Sequence, residues 1–102
     1  AKIQEIQERW HKAGVLDHGT WANAPLSFLN QLWNMLHLAR VVTLGALARD
    51  ESRGAHYKPD FPTRDDDHWL KTTVASYTPQ GPRFRYEPVD VSLYSPVERR
   101  YD

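Results

Sequence analysis

The apolar residues of this chain change period along its length. Ile3, Ile6, Trp10 and Ala13 recur at intervals of three and four with Gln and Glu between them, which predicts a short amphipathic helix over about residues 2–13. Gly14 stands where a left-handed C-terminal cap is wanted. Residues 15–25, VLDHGTWANAP, mix Gly, Asn, Asp and Pro and read as a connection, with Leu16 and Trp21 free to tuck against a core. Pro25 and Ser27 mark the next helix start. From Leu26 to about Arg53 the spacing is helical throughout, and Leu29, Leu32, Trp33, Leu36, Ala39, Thr43 and Leu47 form one stripe. The opposite face begins polar at Ser27, Asn30, Asn34 and His37, then turns apolar at Val41, Leu44, Gly45 and Ala48. A helix that is apolar on every side needs neighbours on every side, and one short helix does not supply them.

Beyond the helices the period drops towards two. Trp69 to Thr78 is rich in Thr, Val, Tyr and Trp, and in RFRYE, residues 83–87, Phe84 and Tyr86 alternate with Arg83, Arg85 and Glu87. Pro79 and Gly81 between them suit a tight turn, so an antiparallel hairpin is expected over about 69–89. A tail over 90–102, with Pro96 and spaced Val, Leu and Tyr, is expected to run extended. The fold class is therefore mainly α: a helical bundle of one long central helix and a shorter one, with a small C-terminal hairpin and a tail, in a single domain over 1–102.

Composition narrows the function. Thirteen basic and thirteen acidic side chains leave no net charge, which argues against nucleic acid and against an anionic membrane face. There is no Cys, hence no disulfide, thiolate ligand or thiol nucleophile. The apolar run from Val41 to Ala48 is far short of the ~20 residues of a membrane span. The first residues carry neither Met nor a signal pattern and enter a helix at once, as expected of a piece of something longer.

The densest chemistry lies in RDESRGAHYKPDFPTRDDDHW, residues 49–69. His56, Asp60, Asp65, Asp66, Asp67 and His68 are possible metal ligands, but they show neither an HExxH pair nor the alternation and Gly of a calcium loop. Asp65 or Asp66 is better read as the cap of a helical turn leading into Trp69. Ser52, His56 and Asp60 supply the residue types of a hydrolytic triad, without a nucleophile elbow or an oxyanion loop. His11, His18 and His37 stand singly. No G-x-G-x-x-G or P-loop occurs, so no dinucleotide cofactor is expected to be held here. A polar docking surface remains: a helix ending at Gly54 would present Arg53 as a bidentate donor, with Glu51 and His56 close by.

These residues also carry a resemblance. Residues 34–73, with Glu51-Ser52-Arg53-Gly54-Ala55-His56, then Asp60, Pro62, Arg64-Asp65-Asp66 and Trp69, closely resemble the C-terminal region of the succinate dehydrogenase and fumarate reductase flavoprotein subunits. Tyr86-x-Pro88-Val89 and a closing Arg100-Tyr101 extend the match, and Tyr57-Lys58-Pro59 looks nearest to the bacterial form. L-aspartate oxidase has a similar SRG-x-H segment and is the alternative within the superfamily. The resemblance implies a helical domain with a small hairpin packed on the FAD-binding and capping domains of a larger subunit. That parent would oxidise succinate to fumarate, reduce its covalently held FAD, and pass electrons to an iron-sulfur subunit and quinone. It would be cytoplasmic and peripheral on the inner face of the plasma membrane, held there through the iron-sulfur subunit and a membrane anchor. The family's catalytic and flavin-bonding residues lie in upstream domains, so none is assigned here. Glu51, Ser52, Arg53, His56, Arg64 and Asp65 are expected to be structural or interface residues, and the fragment alone non-catalytic. A free-standing helical interaction module is the competing class, and a small hydrolase or metalloprotein ranks third.

Overall fold

The computed structural model describes residues 1–97; the closing Arg100-Tyr101 of the resemblance lies outside them. The architecture is mainly α with one two-stranded antiparallel sheet: α1 (Lys2–Trp10), α2 (Ala24–Ala48), α3 (Asp66–Trp69), β1 (Lys71–Ser76) and β2 (Arg83–Pro88). The chain divides into two compact units, Ala1–Leu44 and Gly45–Asp102, with the division falling within α2.

In the first unit, α1 buries Gln7 and half-buries Ile3, Ile6 and Trp10, the stripe read from the spacing. It stops at Trp10 rather than residue 13. The Lys12 and Ala13 N–H groups reach back only three residues, to the Arg9 and Trp10 carbonyls, so the last turn tightens and the α-helical pattern ends. The glycines with positive φ are Gly54 and Gly81, so Gly14 is not the left-handed cap expected of it. The Trp10 indole N–H donates to the Leu29 carbonyl at 2.8 Å, and its ring lies 4.6 Å from that of Trp33. Trp33 in turn meets His37 edge to face at 4.6 Å and His11 at 5.0 Å. An aromatic cluster thus ties α1 to α2.

The connection between them is braced by its own polar groups. Asp17 Oδ1 accepts from the Gly19 N–H at 2.8 Å, and Asn23 Nδ2 donates to the Asp17 and Gly19 carbonyls at 3.0 and 3.1 Å. Asn23 Oδ1 accepts from the Leu26 N–H at 3.0 Å, so Asn23 caps α2 and Pro25 sits in the first turn. Held this way, Leu16 and Trp21 do not tuck in: Trp21 is 91% exposed and Leu16 more so.

Within α2 only Leu36 is buried. Leu38, Val42 and Leu47 stand largely in solvent among the described residues, so the neighbours that an all-round apolar helix calls for are not supplied here. The helix also ends at Ala48, not at Arg53. Lys58 reaches back to hydrogen-bond the Leu47 carbonyl at 2.7 Å, satisfying a last-turn acceptor and placing positive charge at the negative end of the helix dipole.

In the second unit the hairpin pairs Lys71 with Pro88 through to Ser76 with Arg83. Trp69 belongs to α3 rather than to the strand. The turn closes by a Gly81 N–H to Thr78 carbonyl bond at 3.0 Å, with Gly81 at φ 131°. Phe84 and Tyr86 are half-buried while Arg83, Arg85 and Glu87 are exposed, the alternation seen in the sequence. A Cβ on Gly45 would lie 3.4 Å from the Phe84 ring, so α2 and β2 approach closely at this point.

Candidate functional site

Immediately after α2 the chain leaves helical geometry, and alternate residues go to opposite sides. Arg49, Glu51 and Arg53 enter one network; Asp50 and Ser52 enter another. This is the period-two sorting of a non-helical segment.

Glu51 is the centre of the first network and is fully buried, at 0% exposure. Its Oε1 accepts from Arg49 Nη1 and from Arg53 Nε, the latter at 2.9 Å. Its Oε2 accepts from Arg53 Nη2 and from the Asp65 N–H, both at 3.0 Å. Four donors fill the four acceptor positions of one carboxylate. Arg49 goes on to donate to the Trp69 carbonyl at 3.0 Å, to the Lys71 carbonyl, and to Thr73 Oγ1 at 3.2 Å, with its guanidinium 5.2 Å from the centre of the Trp69 ring. Arg53 Nη2 also holds Asp66 Oδ1 at 2.6 Å, and Arg64 Nη2 holds Asp66 Oδ2 at 2.8 Å. Arg64 further donates to the Val97 carbonyl at 3.0 Å. Through these bonds the end of α2, the 53–56 turn, the start of α3 and strand β1 are fastened together.

On the other side, Ser52 Oγ accepts from the Lys58 N–H at 3.0 Å and donates to the Phe61 carbonyl at 2.7 Å. Lys58 Nζ pairs with Asp50 at 2.6 Å as well as holding the helix end. Between the two sides, Arg53 and His56 exchange both backbone hydrogen bonds, at 2.9 and 3.0 Å, around Gly54 at φ 58°. A Cβ on Gly54 would meet nothing within 4 Å, so the glycine answers a backbone need rather than a space need. Asp65 caps α3 by accepting from the His68 N–H at 3.0 Å and pairs with its ring at 2.9 Å.

The electrostatics follow from this geometry. Burial is the strongest single influence on Glu51 and opposes its charge. The hydrogen bonds from Arg53, the Asp65 N–H and Arg49 together outweigh it, so the carboxyl lies below its ordinary value. Glu51 in turn raises Arg53 further above the usual guanidinium value. Asp66 is held low by Arg53 and then Arg64, and Asp65 by the His68 N–H.

Of the residues singled out from sequence, Glu51, Arg53, Arg64 and Asp65 come together in one network, and Ser52 and His56 lie in the adjoining turn. The bidentate acceptor expected for Arg53 is Glu51 of the same chain. Ser52, His56 and Asp60 do not join as a triad: the Ser52 hydroxyl is taken up by Lys58 and Phe61, and His56 Nε2 faces the Arg49 carbonyl at 3.4 Å. Among the described residues no three His, Asp or Glu side chains are placed to hold a metal. Arg49 and Lys58 were not singled out. Their signal was the Arg49-x-Glu51-x-Arg53 alternation, hidden by carrying helical spacing through to Arg53.

The fold thus joins a long helix and a terminal hairpin to a closed Arg–Glu–Arg–Asp cluster. Residues 1–101 match the model of the fumarate reductase flavoprotein C-terminal family, and the chain belongs to that family. It is 54% identical over 102 residues to the succinate dehydrogenase flavoprotein subunit of Bacillus subtilis (strain 168), covering 98% of this chain and 17% of that protein. The fumarate reductase flavoprotein subunit of Mycobacterium tuberculosis (strain CDC 1551 / Oshkosh) is 41% identical over 101 residues, with the same coverages. Among solved structures, a mutated FrdA chain of E. coli quinol fumarate reductase superposes with a TM-score of 0.85 at 32% identity, covering 95% of this chain and 17% of that one. The chain thus spans about a sixth of the length of the relatives it matches. No helix among the described residues is long and apolar enough to cross a membrane.

Proposed function

We infer that this chain is the C-terminal docking module of a succinate dehydrogenase flavoprotein subunit, and that its role is structural. One contrast carries the reading. Among the described residues the buried polar side-chain atoms of the charged cluster are all hydrogen-bonded, whereas Phe28, Met35, Leu38, Val42 and Leu47 of α2 are left exposed. A unit whose polar side is complete and whose apolar side is open is built to be seated on something else. Glu51, Ser52, Arg53, His56, Arg64 and Asp65 then act as the clasp that holds the seated shape. FAD, the succinate site and the redox chemistry are assigned to the rest of the subunit, since the arginines and carboxylates here are spent on one another and form no phosphate cradle. The parent would oxidise succinate to fumarate and hand electrons to an iron-sulfur subunit and quinone, peripheral to the inner face of the plasma membrane. Succinate oxidation is favoured over fumarate reduction by the 54% against 41% identities to subunits bearing those two names.

The test is a pair of purified proteins: this chain alone and the full-length subunit that contains it. The full-length protein is expected to show a bound-flavin absorption spectrum and succinate-dependent dye reduction, and the chain alone neither. Flavin bound by the isolated chain, or succinate oxidation by it, would contradict the assignment.

A further inference from the structure

We propose that two copies of this polypeptide join edge to edge through β2, so that their hairpins form one continuous antiparallel sheet. The surface is separate from the apolar flank of α2, so the docking role neither requires it nor excludes it. An antiparallel hairpin bonds alternate residues across its centre and turns the backbone groups of the others outward. The Val89 N–H to Leu70 carbonyl bond sets that alternation. Thr72, Val74 and Ser76 bond across to Glu87, Arg85 and Arg83, which leaves Lys71 and Thr73 on one outer edge and Phe84 and Tyr86 on the other. Arg49 lies along the β1 edge, donating to the Lys71 carbonyl and to Thr73 Oγ1. Among the described residues nothing hydrogen-bonds the outward backbone groups of Phe84 and Tyr86. A two-stranded sheet is marginal by itself, and an open edge is a template for another strand.

The residues along β2 favour a second copy as the occupant. Pairing β2 with itself about a two-fold axis at Arg85 sets Phe84 opposite Tyr86 of the second copy and Tyr86 opposite its Phe84, each pair exchanging both backbone bonds. The next bonding positions are Pro82 and Pro88, which fall opposite each other. Neither has an N–H, so the ladder ends there with no donor lost. Sliding the register by two residues would set a proline against Phe84 or Tyr86 and leave a carbonyl unbonded. The side chains select the same register. Arg83 and Glu87 stand at equal distances from the axis, so each Arg83 faces a Glu87 of the other copy. Among the described residues Arg83 makes no ion pair, and Glu87 is exposed beside Arg85. Arg85 meets its own counterpart at the axis, each guanidinium already bonded to the Glu87 of its own chain. On the opposite face Phe84 and Tyr86 form cross-strand aromatic pairs. Residues serving only to block the edge would stand at 84 or 86, where the free donors are.

The experiment follows self-association of the full-length subunit by sedimentation velocity at low salt, up to about 100 µM, because so short a ladder makes a weak, concentration-dependent dimer. Arg83→Glu and Glu87→Lys each set like charges opposite one another, and each is expected to weaken the dimer about tenfold or more. Arg83→Glu with Glu87→Lys exchanges the two charges and is expected to bring association back to within about threefold of the unaltered protein. In Arg85→Cys, mild oxidation is expected to give a disulfide-linked dimer, since the two Cα atoms face each other at the axis. Thr72→Cys, exposed on β1, is expected to link no more than the unaltered subunit, which controls for cysteines elsewhere in it. A monomer over the whole range, a dimer indifferent to the single reversals, a dimer that the double reversal fails to restore, or Arg85→Cys linking no faster than Thr72→Cys would each overturn the inference.

Discussion

Glu51 decides whether the second unit holds together. A carboxylate withdrawn from water costs several kcal/mol, and here it is compensated by two guanidinium groups and a backbone N–H. Glu51→Gln keeps the shape but removes the charge and turns one oxygen into a donor facing donors. The variant is expected to lose about 3–5 kcal/mol of unfolding free energy, measured by urea titration. The pH dependence has a definite sign. The Glu51 carboxyl ionises more readily folded than unfolded, so its stabilisation is complete above the unfolded value and is lost as pH falls through the lower folded one. Melting temperature against pH should therefore fall on acidification through the carboxylate range, and fall less steeply in Glu51→Gln. Gly54 offers a second residue-level check. With φ at 58° and open space around it, Gly54→Ala should cost about 1–2 kcal/mol from backbone strain alone, read by the same titration.

At the level of elements, the helices and hairpin were legible because burial imposes a period, and Ile3, Ile6 and Trp10, like Phe84 and Tyr86, keep it. The ends were not legible, because ends are set by groups far along the chain. Spacing alone runs α2 on to Arg53, yet the helix ends at Ala48, where Lys58 takes up the freed Leu47 carbonyl. Leu16 and Trp21 invited a buried reading on hydrophobicity; Asp17 and Asn23, whose bonds hold that loop outward, act through geometry that no period reveals. Of the candidate site, the cap at Asp65 could be read from sequence. The internal pairing of Arg53 could not, since it depends on where the helix ends. The α1–α2 contact supplies a prediction at this scale: Trp10→Phe keeps the ring packing and loses the bond to Leu29, at a cost of about 1 kcal/mol, seen as a lower midpoint in helical circular dichroism.

For the whole molecule, the central claim is that the chain is finished on its charged side and unfinished on its apolar side. Within the described residues the apolar flank of α2 faces water, and the chain spans about a sixth of the length of the relatives it matches. Amide hydrogen exchange over residues 24–48 tests this most directly, compared between the isolated chain and the full-length subunit. Exchange in α2 is expected to slow by about tenfold or more in the full-length protein, while the peptide spanning 49–66, already clasped by Glu51, changes much less. Equal exchange of α2 in the two proteins would contradict the account.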